Sequence, residues 1–219
     1  MNPLARLGAT TGAVLLALSL ASPAGAERYV HYDARGDVQV ENCTYTEPTD
    51  PATDPSLDPE EDCTTSTDRT VREGDITKVV VRHSHYRVVL RTTFRELTRG
   101  TDFSVHLGSV RTNEHLHRDI FLMYTKGETE LAMIRPNGEE AKCDISKTID
   151  FADNYIEVRI PRHCLSRPRW VQAGVGQIRL NFTESPDGAS MSSSIFVDDG
   201  LSPTVRDAGP VWSPRVHRG

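Results

Sequence analysis

The sequence predicts an all-β domain: an antiparallel two-sheet sandwich, jelly-roll or Ig-like, with two disulfides. Three observations carry this. Residues 85–97 send their side chains to alternate faces with period two. Further short segments of strand character are set apart by Gly, Pro and Asn-Gly punctuators. No stretch shows the i, i+3, i+4 spacing of an amphipathic helix.

The first 26 residues read as a secretory signal peptide. Arg6 gives a positive start, Leu7 to Ala21 an apolar run, and Ala24-Gly25-Ala26 a small-x-small cleavage site, so the mature chain is expected to begin at Glu27. The apolar run is short for a transmembrane helix and is followed at once by Ser22-Pro23. No cysteine follows it to take a lipid anchor. The chain is therefore expected to be secreted, with no integral membrane segment after cleavage. Residues 27–200 are expected to form the sandwich. Residues 201–219, with three prolines and no periodicity, are expected to be a loosely ordered tail.

The net charge is −6, and loss of Arg6 makes it −7. Such a chain lacks the surplus cations that non-specific nucleic-acid binding requires, so no nucleic-acid partner is expected. Cys43, Cys63, Cys143 and Cys164 make an even count in an exported chain and read as disulfides. Three pairings are open. The sequential one, Cys43–Cys63 and Cys143–Cys164, is favoured because each pair brackets one local excursion. Zinc is the rival reading, but no C-x-x-C spacing supports it.

Taken in order, Val38–Asn42 is a short strand after the turn Asp33-Ala34-Arg35-Gly36-Asp37. Glu47 to Asp62 is an acidic, proline-rich insert with seven acids and no base, built on a repeated four-residue unit and unable to bury apolar area. Ile76–Arg82 and His85–Leu97 are the clearest strands, joined by a hairpin at His83-Ser84. Tyr86, Val88, Leu90, Thr92 and Phe94 are expected on one face of the second, with Arg87, Arg91 and Arg95 on the other. Further strands are expected at Phe103–Val110, Asp119–Tyr124, Glu130–Arg135, Tyr155–Ile160, Val171–Phe182 and Ser194–Val197. One helical turn is expected at Pro161–Leu165.

The segments Asp33-Ala-Arg-Gly-Asp37, Gly74-Asp75-Ile76-Thr77-Lys78-Val79-Val80-Val81, Arg87-Val-Val-Leu-Arg91 and Cys164-Leu-Ser-Arg-Pro-Arg-Trp170-Val-Gln-Ala-Gly174 resemble secreted actinobacterial proteins whose function is unassigned. More distantly, the chain is similar to β-sandwich domains of the DOMON and family-9 carbohydrate-binding type. That resemblance implies a sandwich that binds a ligand: sugar, haem or calcium.

Asp33 and Asp37, Asp75, and Asp198-Asp199 sit at strand ends that a sandwich can bring together, and clustered carboxylates suit calcium. Asp is equally a turn residue, and that reading leads. His83/His85 and His115/His117 are H-x-H pairs, which chelate only when both rings share one strand face. The first pair straddles a turn and the second lies in a polar loop, so both are expected to be unliganded. Arg87, Arg91 and Arg95, with Lys78 and Arg82 on the neighbouring strand, form a basic stripe suited to an anionic polymer. The acidic insert is expected to fold back over it. Trp212 is the more exposed tryptophan and a candidate ligand contact, while Trp170 is expected to pack on a disulfide. No Gly-x-Ser-x-Gly, His-Glu-x-x-His or phosphate-binding glycine loop occurs. The expected function is a non-catalytic binding module for a polysaccharide or cell-wall polymer. A protein-interaction domain and a small hydrolase are the alternatives.

Overall fold

Side-chain alternation sorts the strands into two antiparallel sheets. The computed structural model describes residues 27–46, 60–100, 103–125, 127–185, 190–206 and 209–219. The signal-peptide reading and insert residues 47–59 lie outside the described residues. The strands are β1 (Glu27–Tyr32), β2 (Gln39–Thr46), β3 (Glu60–Thr67), β4 (Ile76–His83), β5 (Arg87–Phe94), β6 (Phe103–Thr112), β7 (His117–Tyr124), β8 (Thr129–Ile134), β9 (Ser146–Asp150), β10 (Tyr155–Pro161), β11 (Trp170–Glu184), β12 (Ser190–Asp199) and β13 (Val216–His217). One sheet runs β1-β4-β5-β10-β9. The other runs β3-β2-β12-β11-β6-β7-β8, with β13 pairing the start of β11. Among the described residues no helix is long and apolar enough to cross a membrane.

The core lies between the sheets. Val79, Val81, Leu90 and Ile156 of the five-stranded sheet are fully buried against Val110, Ile120 and Val175 of the larger one. On β5, Val88, Leu90, Thr92 and Phe94 point inward as the alternation predicts. Tyr86 departs from that face. It precedes the strand in the β4–β5 turn and is 80% exposed. Thr92 is buried because its hydroxyl lies 3.3 Å from His106 Nε2. The one-turn helix forms at Arg162–Leu165.

Cys43–Cys63 and Cys143–Cys164 are the disulfides. The first joins residues directly opposite one another on β2 and β3. β3 begins at Glu60, so the last three residues of the expected insert are strand. β1 and β9 escape a sequence reading because both are largely half-exposed and lack a clean apolar alternation.

The expectation of a loose tail fails for residues 211–217. Val216 and Ser213 are buried, and β13 pairs Trp170 and Val171. The Ser213 hydroxyl accepts from the Ala173 amide at 3.0 Å, and the Gln172 amide donates to the Ser213 carbonyl at 2.7 Å. Gly174 makes room for this segment: a Cβ there would lie 2.6 Å from Pro210 Cβ. The docking depends on hydrogen bonds and one missing side chain, neither of which gives a periodic signal.

Candidate metal centre

The carboxylates gather where the β1–β2 loop, the start of β4 and the end of β12 meet. Gly36, at φ +74°, turns the loop so that Asp33 and Asp37 face the same point, and its amide donates to Asp75 Oδ2 at 2.9 Å. Asp75 precedes β4 and is fully buried. Its Oδ2 also lies 3.5 Å from Arg95 Nη1. Asp198 arrives from the opposite sheet and accepts the Ile76 amide on Oδ2 at 2.6 Å. Carboxylate oxygens of Asp33, Asp37 and Asp198 lie within 4.8 Å of one another.

Asp199 is placed differently. Successive strand residues point to opposite faces. Its Oδ1 accepts the Leu201 amide at 3.0 Å, and its Oδ2 faces the Val211 amide at 3.4 Å. Asp199 therefore pins the tail, although it is near enough to raise the Asp33 pKa.

Several oxygens in the cluster find no donor. Asp33 Oδ2, both Asp37 oxygens and Asp75 Oδ1 are buried with no hydrogen-bond partner among the described residues. The Asp33 side chain is only 2% exposed. Its Oδ1 accepts the Ala34 amide at 3.0 Å and lies 3.8 Å from His31 Nε2. Burying a carboxylate without donors is costly, and crowding adds repulsion. Burial first, and then Asp37, push Asp33 up to about 7. Burial, with Asp37 and Asp33 adding and the Ile76 amide opposing, pushes Asp198 up to about 8. Burial also raises Asp37, Asp75 and Asp199.

This donor set fits a hard divalent cation. The oxygens around one calcium ion sit at about 2.3–2.6 Å from it, so donors on opposite sides lie up to roughly 5 Å apart. The oxygens of Asp33, Asp37 and Asp198, all within 4.8 Å of one another, fall inside that span. Asp75 supplies a fourth carboxylate nearby, with Arg95 offsetting part of its charge. The cluster offers carboxylate oxygen and no thiolate, which favours calcium over zinc.

The other expected sites fare unevenly. Arg95 leaves the basic stripe for Asp75. Arg91 stacks 3.6 Å from the Tyr155 ring centroid and lies 3.9 Å from Glu157. Arg87 is exposed and carries no carboxylate partner among the described residues. Trp212 is half-buried under Arg111, whose guanidinium sits 4.4 Å from the ring centroid. Trp170 does not pack on a disulfide. It points to the outer face of β11 under Arg215, at 4.6 Å, and lines one groove with Trp212, Arg111 and Gln172. No local sequence pattern marks this groove, because it joins the tail to β11 across 42 residues. Neither H-x-H pair presents both rings on one strand face. His83 is buried with Nδ1 3.1 Å from the Val216 carbonyl, while His85 is exposed. His115 sits in a turn at φ 56°, and His117 faces Asp119 at 3.1 Å.

Comparison of the chain with protein-family models, curated proteins and solved structures finds no match. The functional reading rests on the chain's own residues.

Proposed function

We propose that this chain is a secreted, non-catalytic binding module whose loop end is organised by a calcium ion. The observation that carries the reading is the convergence of Asp33, Asp37 and Asp198, with Asp75 beside them, in a place that leaves carboxylate oxygens buried without donors. A cation there would tie the β1–β2 loop and β4 to β12, and so one sheet to the other. The two disulfides suit an oxidising compartment. The ligand class is an extracellular polymer, consistent with the tryptophan–arginine groove and with the cationic residues of β4 and β5.

Isothermal titration of residues 27–219 with calcium, magnesium and zinc tests the cation site. Saturable calcium heat that Asp198→Asn removes supports it. No heat with calcium at millimolar concentration would end the reading.

One observation favours a protein-interaction domain instead. The outer face of the larger sheet carries an apolar band. Val105, Ile178 and Val197 are register partners across three strands, and Phe103, Phe121 and Phe182 lie exposed on the same face. Sedimentation equilibrium separates the readings: dimers lost in Phe182→Ser would favour this one.

A further inference from the structure

The outward face of the five-stranded sheet is cationic on an acidic chain. Arg28 of β1, Lys78 and Arg82 of β4, Arg87 and Arg91 of β5, and Arg159 of β10 all alternate with inward core residues. Among the described residues the carboxylates on this face are Glu157, which Arg91 and Arg159 already flank at 3.9 and 2.5 Å, Asp150 at the β9 edge, and exposed Asp144, which lines a hollow with Tyr86, Arg87 and Arg159 but forms no ion pair with them. Arg28, Arg82 and Arg87 are exposed and have no carboxylate partner among the described residues.

The register sharpens the point. Arg28 and Arg82 are directly opposite one another on β1 and β4. Like charges in that position destabilise a sheet. Neither supplies core packing or an ion pair, so the fold gains nothing from holding them there. Two exposed rings bracket the cations. Tyr32, 73% exposed, carries Lys78 5.1 Å from its centroid at one end, and Tyr86, 80% exposed, stands at the β4–β5 turn. Guanidinium forks grip carboxylates in two-point fashion, and an exposed tyrosine offers an apolar ring face with a wet edge.

We infer that this face binds an acidic polysaccharide: Arg28, Arg82 and Arg87 take its carboxylates, and Tyr32 and Tyr86 stack on its sugar rings. Strands lie about 4.8 Å apart, so the partnerless cations of β1, β4 and β5 span a shallow strip wide enough for one extended chain. The inference gives the proposed module its ligand class but does not depend on calcium.

The test is retention of residues 27–219 on immobilised polygalacturonate, dextran and polyphosphate, run in chelator so that calcium plays no part. Retention on polygalacturonate at low salt, absent on dextran and lost with rising salt, is the expected result. The double variant Arg82→Ser/Arg87→Ser should weaken binding at least tenfold and flatten the salt dependence by about one to two in log–log slope. Arg135→Ser, at an exposed arginine paired with Glu139 beyond β8 of the other sheet, should leave retention unchanged. Both changes are at exposed side chains, and an unchanged melting temperature shows that the variant folds. The inference is overturned if polygalacturonate is not retained, if the double variant binds as well as the parent, or if polyphosphate is retained and polygalacturonate is not. Because the assay runs without calcium, its failure leaves the cation site standing, and failure of the calcium titration leaves this face standing.

Discussion

Calcium binding at the carboxylate cluster should release protons, and the number is set by the cluster's own geometry. At pH 7, Asp33, pushed to about 7, is about half protonated, and Asp198, pushed to about 8, is about nine-tenths protonated. A bound cation requires both to be ionised. Binding at pH 7 should therefore expel about 1.4 protons per ion from this pair, and at pH 9 only about 0.1. Calorimetry in buffers of different ionisation enthalpy measures this directly, because the slope of observed heat against buffer enthalpy is the proton count. Apparent affinity should rise with pH through 7 and 8 and level off above about 9. Both carboxyls are raised above their unfolded value of 3.8. In chelator their contribution to stability is therefore complete below about pH 4 and is lost as pH rises through 7 to 8. Saturating calcium should flatten or reverse that decline. A proton count near zero at pH 7, with binding intact, would refute the reasoning that burial and mutual repulsion hold these carboxyls protonated.

Three further outcomes follow from the packing. Arg95→Met removes the guanidinium 3.5 Å from buried Asp75 and should destabilise the calcium-free protein by about 1–3 kcal/mol, less in saturating calcium, as read from denaturant melts. Gly174→Ala places a Cβ 2.6 Å from Pro210 and should cost about 1–3 kcal/mol and expose the tail to limited proteolysis, whereas Gly138→Ala, strained at φ +83° but far from any neighbour, should cost about 1 kcal/mol and leave the tail protected. The double change Cys143→Ser/Cys164→Ser opens a loop with sequence separation 21 and should lower stability by roughly 3 kcal/mol under non-reducing conditions.

The alternation on β5 and β10 was readable because those strands bury one face against the core and show the other to water. The same property reveals which arginines face outward once the register is known. What the sequence could not show is where Arg95 turns: its place on the alternation matches Arg87 and Arg91, yet a residue at the end of a strand is free to bend toward Asp75. The grouping of Asp33, Asp37, Asp75 and Asp198 could be anticipated because each stands at a turn or strand end. Asp199 could not be separated from Asp198 without knowing which face each takes. β3 hid within an acidic, threonine-rich stretch because its pairing depends on β2 and on a cross-strand disulfide rather than on its own hydrophobicity. The arginine pair Arg28 and Arg82 lies 54 positions apart and became visible only through register.

One melt tests the cation site. Residues 27–219 are heated at pH 7.5, unreduced, in chelator and in calcium, beside Asp37→Asn. Calcium at about a hundred times its dissociation constant should stabilise the parent by about 2.7 kcal/mol, a rise of roughly 5–10 °C at this size. Asp37→Asn should melt at or above the parent in chelator, since it relieves buried repulsion, and gain little from calcium. A parent whose melting temperature is the same in calcium and in chelator would contradict the account and leave these aspartates as turn residues.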